Sequence, residues 1–261
     1  MNLSLLGKNA LVGGASAGIG RAIAIELAAL GANVVCMART ESALQATVAE
    51  LDVRQGQQHL YLTVDFSDPA GLQATVQQLL ESRRVHILVN NTGGPPGGPI
   101  TEASATAFEQ ALRQHLLCNQ ALAQAVLPGM KADGYGRIIN VISTSVKEPL
   151  ENLGVSNTTR WAVAAWAKTW AGEVGPYGVT VNNVLPGYTN TARLQEIIEK
   201  RAASGQTTRE AVEAQFRQQT PLRRFAEPAE VAAAAAFLAS PAAAYINGIN
   251  LPVDGGRTRS L

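Results

Sequence analysis

The run Gly13-Gly14-Ala15-Ser16-Ala17-Gly18-Ile19-Gly20 has the residue types needed to carry a phosphate. Glycines let a backbone turn tightly and approach a pyrophosphate, and a helix starting beside them offers free N–H groups and a positive dipole end. The run follows a strand candidate, Asn9–Val12, and leads into a helix candidate, Ile19–Leu30. A glycine-rich loop in that context binds a dinucleotide. At the end of the next strand, about twenty residues past the glycines, an NAD-binding chain usually carries Asp or Glu for the ribose 2′-hydroxyl. Ala38 and Arg39 stand there instead. A carboxylate would repel a 2′-phosphate, whereas a guanidinium pairs with it through two donors, so the pattern points to NADP(H). No metal chemistry is expected: Cys36 and Cys118 sit in apolar segments, with no C-x-x-C pair and no histidine cluster, and read as buried free thiols.

These residues need a scaffold, and the chain alternates short β-branched runs with helix-length segments. Strand candidates are Asn9–Val12, Asn33–Met37, Gln58–Thr63, Ile87–Asn90, Gly136–Ile142, Thr180–Leu185 and Asn250–Val253. Helix candidates between them include Ile19–Leu30, Glu41–Leu51, Pro69–Ser82, Ala105–Met130 and Arg160–Glu173. Continuous apolar strands, each followed by a helix, predict an α/β fold with a doubly wound, parallel, seven-stranded sheet of the Rossmann type. No linker divides the chain, so residues 1–261 read as a single domain. One stretch, Thr191–Arg224, is long, charged and helical in period, with a break at Gly205. It reads both as a substrate lid and as an amphipathic pair of surface helices, and the two readings are compatible.

Bulk composition narrows the partners. With 46% hydrophobic residues, 16% charged residues and a formal net charge of +1, the chain has core-forming material and no concentrated basic face for nucleic acid or membrane surfaces. Met1–Lys8 is too short and polar for a signal peptide, and the small-apolar stretch Val231–Ser240 is too short for a membrane span. A cytoplasmic location is expected.

Gly14, Gly18 and Gly20 have the spacing G-x-x-x-G-x-G, which resembles the T-G-x-x-x-G-x-G fingerprint of the short-chain dehydrogenase/reductase family, with Gly13 at the usual Thr. Asn90-Asn91-Thr92-Gly93 resembles that family's N-N-A-G, and Pro186-Gly187 its motif after the sixth strand. Val253-Asp254-Gly255-Gly256 is similar to its closing V-D-G-G, so the likeness covers essentially the whole chain and extends to 3-oxoacyl-(acyl-carrier-protein) reductases. The resemblance implies cofactor contacts from Gly14, Ser16, Ala17, Gly18, Ile19, Gly20, Arg39, Asn91, Gly93, Arg160, Pro186, Gly187, Thr189 and Thr191, with Asp65 and Phe66 at the adenine. It also implies a homo-oligomer, most simply a tetramer, built on the helix that carries Trp161, Trp166 and Trp170 and on the long helix Ala105–Met130.

The family's catalytic set is Asn, Ser, Tyr and Lys, and only the serine is retained outright, as Ser143. Counting along the family pattern, the tyrosine position is Ser156, the lysine position is Arg160 and the asparagine position is His115, with Asn119 one helical turn away. A serine hydroxyl is a far weaker acid than a phenol, and an arginine does not relay protons. His115 offers a replacement donor because imidazole titrates near neutrality, and Tyr188, beside Pro186-Gly187, offers a second. The expectation is an NADP(H)-dependent oxidoreductase acting on a small carbonyl or alcohol compound, including acyl thioesters, with an atypical proton donor. The alternative is an NADP(H)-binding sensor or scaffold with little turnover.

Overall fold

Alternation along the strands sorts side chains to the two faces of one sheet. In the computed structural model, which describes residues 1–260, the strands are β1 (Asn9–Gly13), β2 (Asn33–Ala38), β3 (Leu60–Thr63), β4 (Ile87–Asn90), β5 (Gly136–Val141), β6 (Val179–Pro186) and β7 (Asn250–Val253). All pair in parallel in the order β3-β2-β1-β4-β5-β6-β7, so the sheet switches direction between β1 and β4. Ala10, Val12, Val34, Ile87 and Val89 face one core with α1 (Gly18–Ala29) and α9 (Pro228–Ala239). Leu11, Val35, Leu88, Ile138 and Val181 face the other core, with α3 (Pro69–Ser82), α5 (Cys118–Asp133) and α6 (Gly154–Val174). The remaining helices are α2 (Glu41–Ala49), α4 (Ala105–Leu112), α7 (Ala192–Ser204) and α8 (Arg209–Gln218). The doubly wound, seven-stranded fold matches the sequence expectation.

Several boundaries differ from the sequence reading. The expected helix Ala105–Met130 is a run of α4, a π-helical turn over Arg113–Leu117, and α5, which continues through Pro128 to Asp133. The expected helix Arg160–Glu173 begins earlier, at Gly154, so that Ser156 and Arg160 lie one turn apart on the same face of α6. Thr191–Arg224 resolves into α7 and α8, separated at Gly205 as expected. Both cysteines are buried free thiols, and burial pushes Cys36 up to about 12. Cys118, also held near 12, donates its S–H to the Phe66 carbonyl at 3.0 Å.

One polar feature crosses the core that sequence reading missed. Asn90, Asn140, Asn183 and Asn250 occupy matching positions on β4, β5, β6 and β7, and their amides form a ladder with bonds of 2.8, 2.8 and 2.7 Å. Asn90 lies two residues after Leu88, and Asn140 two after Ile138, so the ladder sits on the α5/α6 face of the sheet, directly before the strand ends that carry the site.

Candidate active site

In an open α/β sheet the ligand crevice lies beyond the carboxyl ends of the strands at the switch point, here between β1 and β4. Gly13–Gly20 forms its floor. Gly14 and Gly18 have φ of +59° and +54°, values that L side chains rarely adopt. A Cβ on Gly20 would lie 2.2 Å from the Gly14 carbonyl oxygen, and one on Gly14 would lie 2.7 Å from Asn91. The departure at Gly13 also has a packing cause: a Cβ there would come within 2.9 Å of the Asn91 carbonyl and 3.2 Å of the Phe66 ring. Asn91 ties the loop to β4 by donating its amide to the Gly13 carbonyl at 3.1 Å. Ala17, the N-cap of α1, has no side chain to cap the helix, and no acidic residue stands in the first turn. The first N–H groups of α1 are therefore left to an anionic ligand. These features fit the pyrophosphate of a dinucleotide.

The rest of the expected cofactor set surrounds this floor. Arg39 is exposed at the end of β2, with Ala38 before it. Asp65 accepts the Ser67 backbone N–H at 2.8 Å as a turn-forming residue, and hydrogen bonding to Ser67, with a smaller contribution from the Arg39 charge, holds its carboxyl below the usual range. Gly93 has open space where a Cβ would point. The Gly93–Pro99 wall is stiffened because Gly98 donates its N–H to the Asn152 carbonyl at 2.7 Å. Across the crevice, Thr189 bonds the Gly187 carbonyl at 3.2 Å, and Thr191 caps α7 with its methyl 3.3 Å from a Cβ placed on Gly18. Arg193 reaches from α7 to the Pro95 carbonyl at 3.1 Å and bridges the two walls.

Beyond Asn91 and Gly93 lie the residues singled out for chemistry. Ser143 follows β5, with its Oγ accepting the Ser145 N–H at 3.0 Å. Ser156 is part-exposed on α6. Arg160, only 7% exposed, donates to the Val141 carbonyl at 3.3 Å, and no carboxylate pairs with it among the described residues. Burial pushes its guanidinium down to about 10, so it stays protonated at neutral pH. Thr92 Oγ1 lies 2.6 Å from Nδ1 of His115, on the π-helical turn, and Nε2 is buried with no hydrogen-bond partner.

The surroundings of the two expected proton donors bear on that role. Burial, and then the Arg160 charge, push His115 down to about 2, so the imidazole is neutral at neutral pH and does not titrate there. Tyr188 donates its hydroxyl to Gln219 Oε1 at 2.8 Å, and its ring stacks on Phe216 at 4.4 Å. Its phenol is spent on the α7–α8 hairpin. Sequence reading missed Thr92, whose only signal was its place in the Asn90–Gly93 motif.

A family model described as enoyl-(acyl carrier protein) reductase matches residues 14–258. The chain is a short-chain dehydrogenase/reductase. It is 37% identical to 3-oxoacyl-[acyl-carrier-protein] reductase of Vibrio cholerae over 97% of this chain and 98% of that one. It is 35% identical to cyclohexanol dehydrogenase of a Rhodococcus species over 99% of each. The solved L-sorbose reductase of Gluconobacter frateurii, complexed with NADPH and L-sorbose, superimposes with a TM-score of 0.93 at 31% identity over the full length of both chains. These relatives are named for an acyl-carrier ketone, a cyclic alcohol and a sugar. What their names share is oxidation or reduction at a carbon–oxygen centre.

Proposed function

We propose that this short-chain dehydrogenase/reductase is an NADP(H)-dependent oxidoreductase for a carbonyl or alcohol substrate, comparable to the 3-oxoacyl-thioester reductases, with an atypical catalytic set. The observation that carries the reading is the Cβ-free floor at Gly14 and Gly20, set against an uncapped α1 N-terminus. Arg39 holds the 2′-phosphate by charge and bidentate geometry. Arg160 holds the nicotinamide ribose with fixed, permanently charged donors, and Ser143 hydrogen-bonds the substrate oxygen. When bound, NADP(H) supplies or accepts the hydride. Ser156, at the phenol's position, is a far weaker general acid than a phenol, so the proton that completes the alcohol would come from water, and the protein's part is to orient the reactants, with Arg160 adding positive charge nearby. The hairpin α7–α8 closes over the substrate as a lid. The protein is cytoplasmic and assembles as a homotetramer through α5 and α6.

A second reading, an NADP(H)-binding sensor or scaffold with little turnover, draws support from the two donors the sequence offered: His115 is held near 2 and the Tyr188 hydroxyl bonds Gln219. Turnover on a carbonyl panel decides between them once NADPH binding is established by fluorescence. Reduction by the unmutated chain, and a large gain in Ser156→Tyr/Arg160→Lys, support the oxidoreductase. No reduction in either form, with NADPH bound, supports the sensor.

A further inference from the structure

We propose that Arg257 anchors a carboxylate on the substrate, which makes the substrate a small oxo acid rather than a neutral ketone or a carrier-bound acyl chain. The proposal rests on the oxidoreductase reading above, and it sets a free acid in place of the thioester that the comparison with 3-oxoacyl-thioester reductases would suggest. After β7, Gly255 and Gly256 adopt φ of +64° and +82° and turn the chain back across the ends of β5 and β6. The tail is then held by carboxylates. Asp254 accepts the backbone N–H groups of Gly256 and Thr258 at 3.0 and 2.8 Å, and Glu148 accepts those of Arg259 and Ser260 at 2.7 and 3.0 Å.

Both acidic groups beside the tail are thus occupied with its backbone, and Arg257 between them has no ion pair among the described residues. On or beside the α7–α8 hairpin, Arg193, Arg209, Arg217 and Arg224 each have a glutamate, while Arg201 and Arg223 share with Arg257 the lack of an ion pair among the described residues. The guanidinium of Arg257 lies 4.4 Å over the Tyr188 ring, on which Phe216 also stacks, and donates to Thr144 Oγ1 at 3.3 Å. Stacking fixes the plane of the fork, and its one hydrogen bond among the described residues, to a neutral hydroxyl, leaves most of its five donors for a ligand.

Position makes this cation relevant to the substrate. Thr144 directly follows Ser143, so their Cα atoms are about 3.8 Å apart, and Tyr188 directly follows Pro186-Gly187. Arg257 thus meets the chain one residue beyond Ser143, at the same end of β5, and we take a carboxylate bidentate on it to lie on the same substrate as the carbonyl that Ser143 would hold. A planar, partly desolvated guanidinium selects that group over an ester or thioester, which lacks the charge.

The test compares matched substrates with saturating NADPH: a short-chain oxo acid, its methyl ester, and the corresponding acyl thioester of N-acetylcysteamine. The expected kcat/KM favours the acid by about tenfold or more, mainly through KM, as a charge-assisted pair would give. In Arg257→Gln the acid-to-ester ratio collapses towards one, and in Arg257→Lys part of it returns. A purely structural tie between the tail and β5 would instead slow acid and ester alike. Equal rates on acid and ester in the unmutated protein, or an equal loss on both in Arg257→Gln, overturn the proposal. A saturated dicarboxylate titrated into the NADPH complex gives a readout that needs no turnover. Its binding, and the loss of that binding in Arg257→Gln with NADPH affinity retained, support the anchor even if no carbonyl compound is reduced and the oxidoreductase reading fails. No binding of the dicarboxylate to the unmutated NADPH complex counts against the anchor.

Discussion

Arg39 and His115 differ in how far their chemistry depends on their surroundings. Arg39 is an exposed cation at the end of β2, and the part proposed for it at a 2′-phosphate needs only its charge and its planar donors. Arg39→Ala is expected to erase much of the NADPH preference over NADH, by roughly tenfold to a hundredfold, the usual worth of a charge-assisted hydrogen bond. Fluorescence titration of both cofactors checks it. His115 behaves oppositely, because burial and the Arg160 charge keep it neutral. Burial also lowers His86, whose Nδ1 accepts the Asn9 N–H at 3.0 Å. Folded-state values depressed below the unfolded value of about 6.5 mean that the unfolded chain takes up these protons first as pH falls. Their stabilisation is therefore present above pH 6.5 and lost below it, at up to about 1.4 kcal/mol per pH unit per histidine. Urea unfolding at pH 7.5 and 5.5 should show a lower midpoint at the acid value, and His115→Asn should reduce the difference. The pH dependence of turnover should show no step near 6.5 that vanishes in His115→Asn.

Among the elements, the strand ends are held in place by the asparagine ladder, and the hairpin by aromatic stacking. Asn140 is fully buried, accepts from Asn90 and donates to Asn183. Asn140→Ala strands a donor and an acceptor, and at about 1–3 kcal/mol for each unsatisfied buried group it should cost about 2–6 kcal/mol, read as a drop in thermal midpoint. The hairpin is fastened differently: Tyr188 packs on Phe216, beside Leu194, Ile198 and Val212. Phe216→Ala removes the main buried ring of this small cluster. Limited proteolysis should then cut within residues 192–218 while the sheet stays intact, and substrate KM should rise more than NADPH affinity falls.

For the whole molecule, the α5/α6 face is the candidate assembly surface. Trp166 and Trp170 both donate to Gln120 Oε1, at 2.7 and 3.0 Å, which ties the two helices together within the chain. Trp161 is 49% exposed two turns into α6, and Leu117 is 50% exposed just before α5. Light scattering should return a multiple of the 27.4 kDa chain mass, and Trp161→Glu should shift it towards the monomer. A mass of one chain at micromolar concentration in the unmutated protein would refute the assembly. Among the described residues no helix is long and apolar enough to cross a membrane.

The sequence by itself determined the sheet, its helices and the phosphate loop, because strand and helix periodicity and glycine conformation are local properties. From motif spacing it also leads to the proposal that Ser143, Ser156, Arg160 and His115 stand at the family's catalytic positions. Only the tertiary structure decided what those side chains can do. The protonation of His115 depends on desolvation and on Arg160, which lies 45 positions away on another helix. Tyr188 faces Gln219 because the hairpin folds back on the β6 loop. Arg257 meets Thr144 and Tyr188 only once the last strand has joined the sheet and its two glycines have turned the tail. Burial, pairing and charge environment arise from distant segments brought together, and one-dimensional spacing does not encode them.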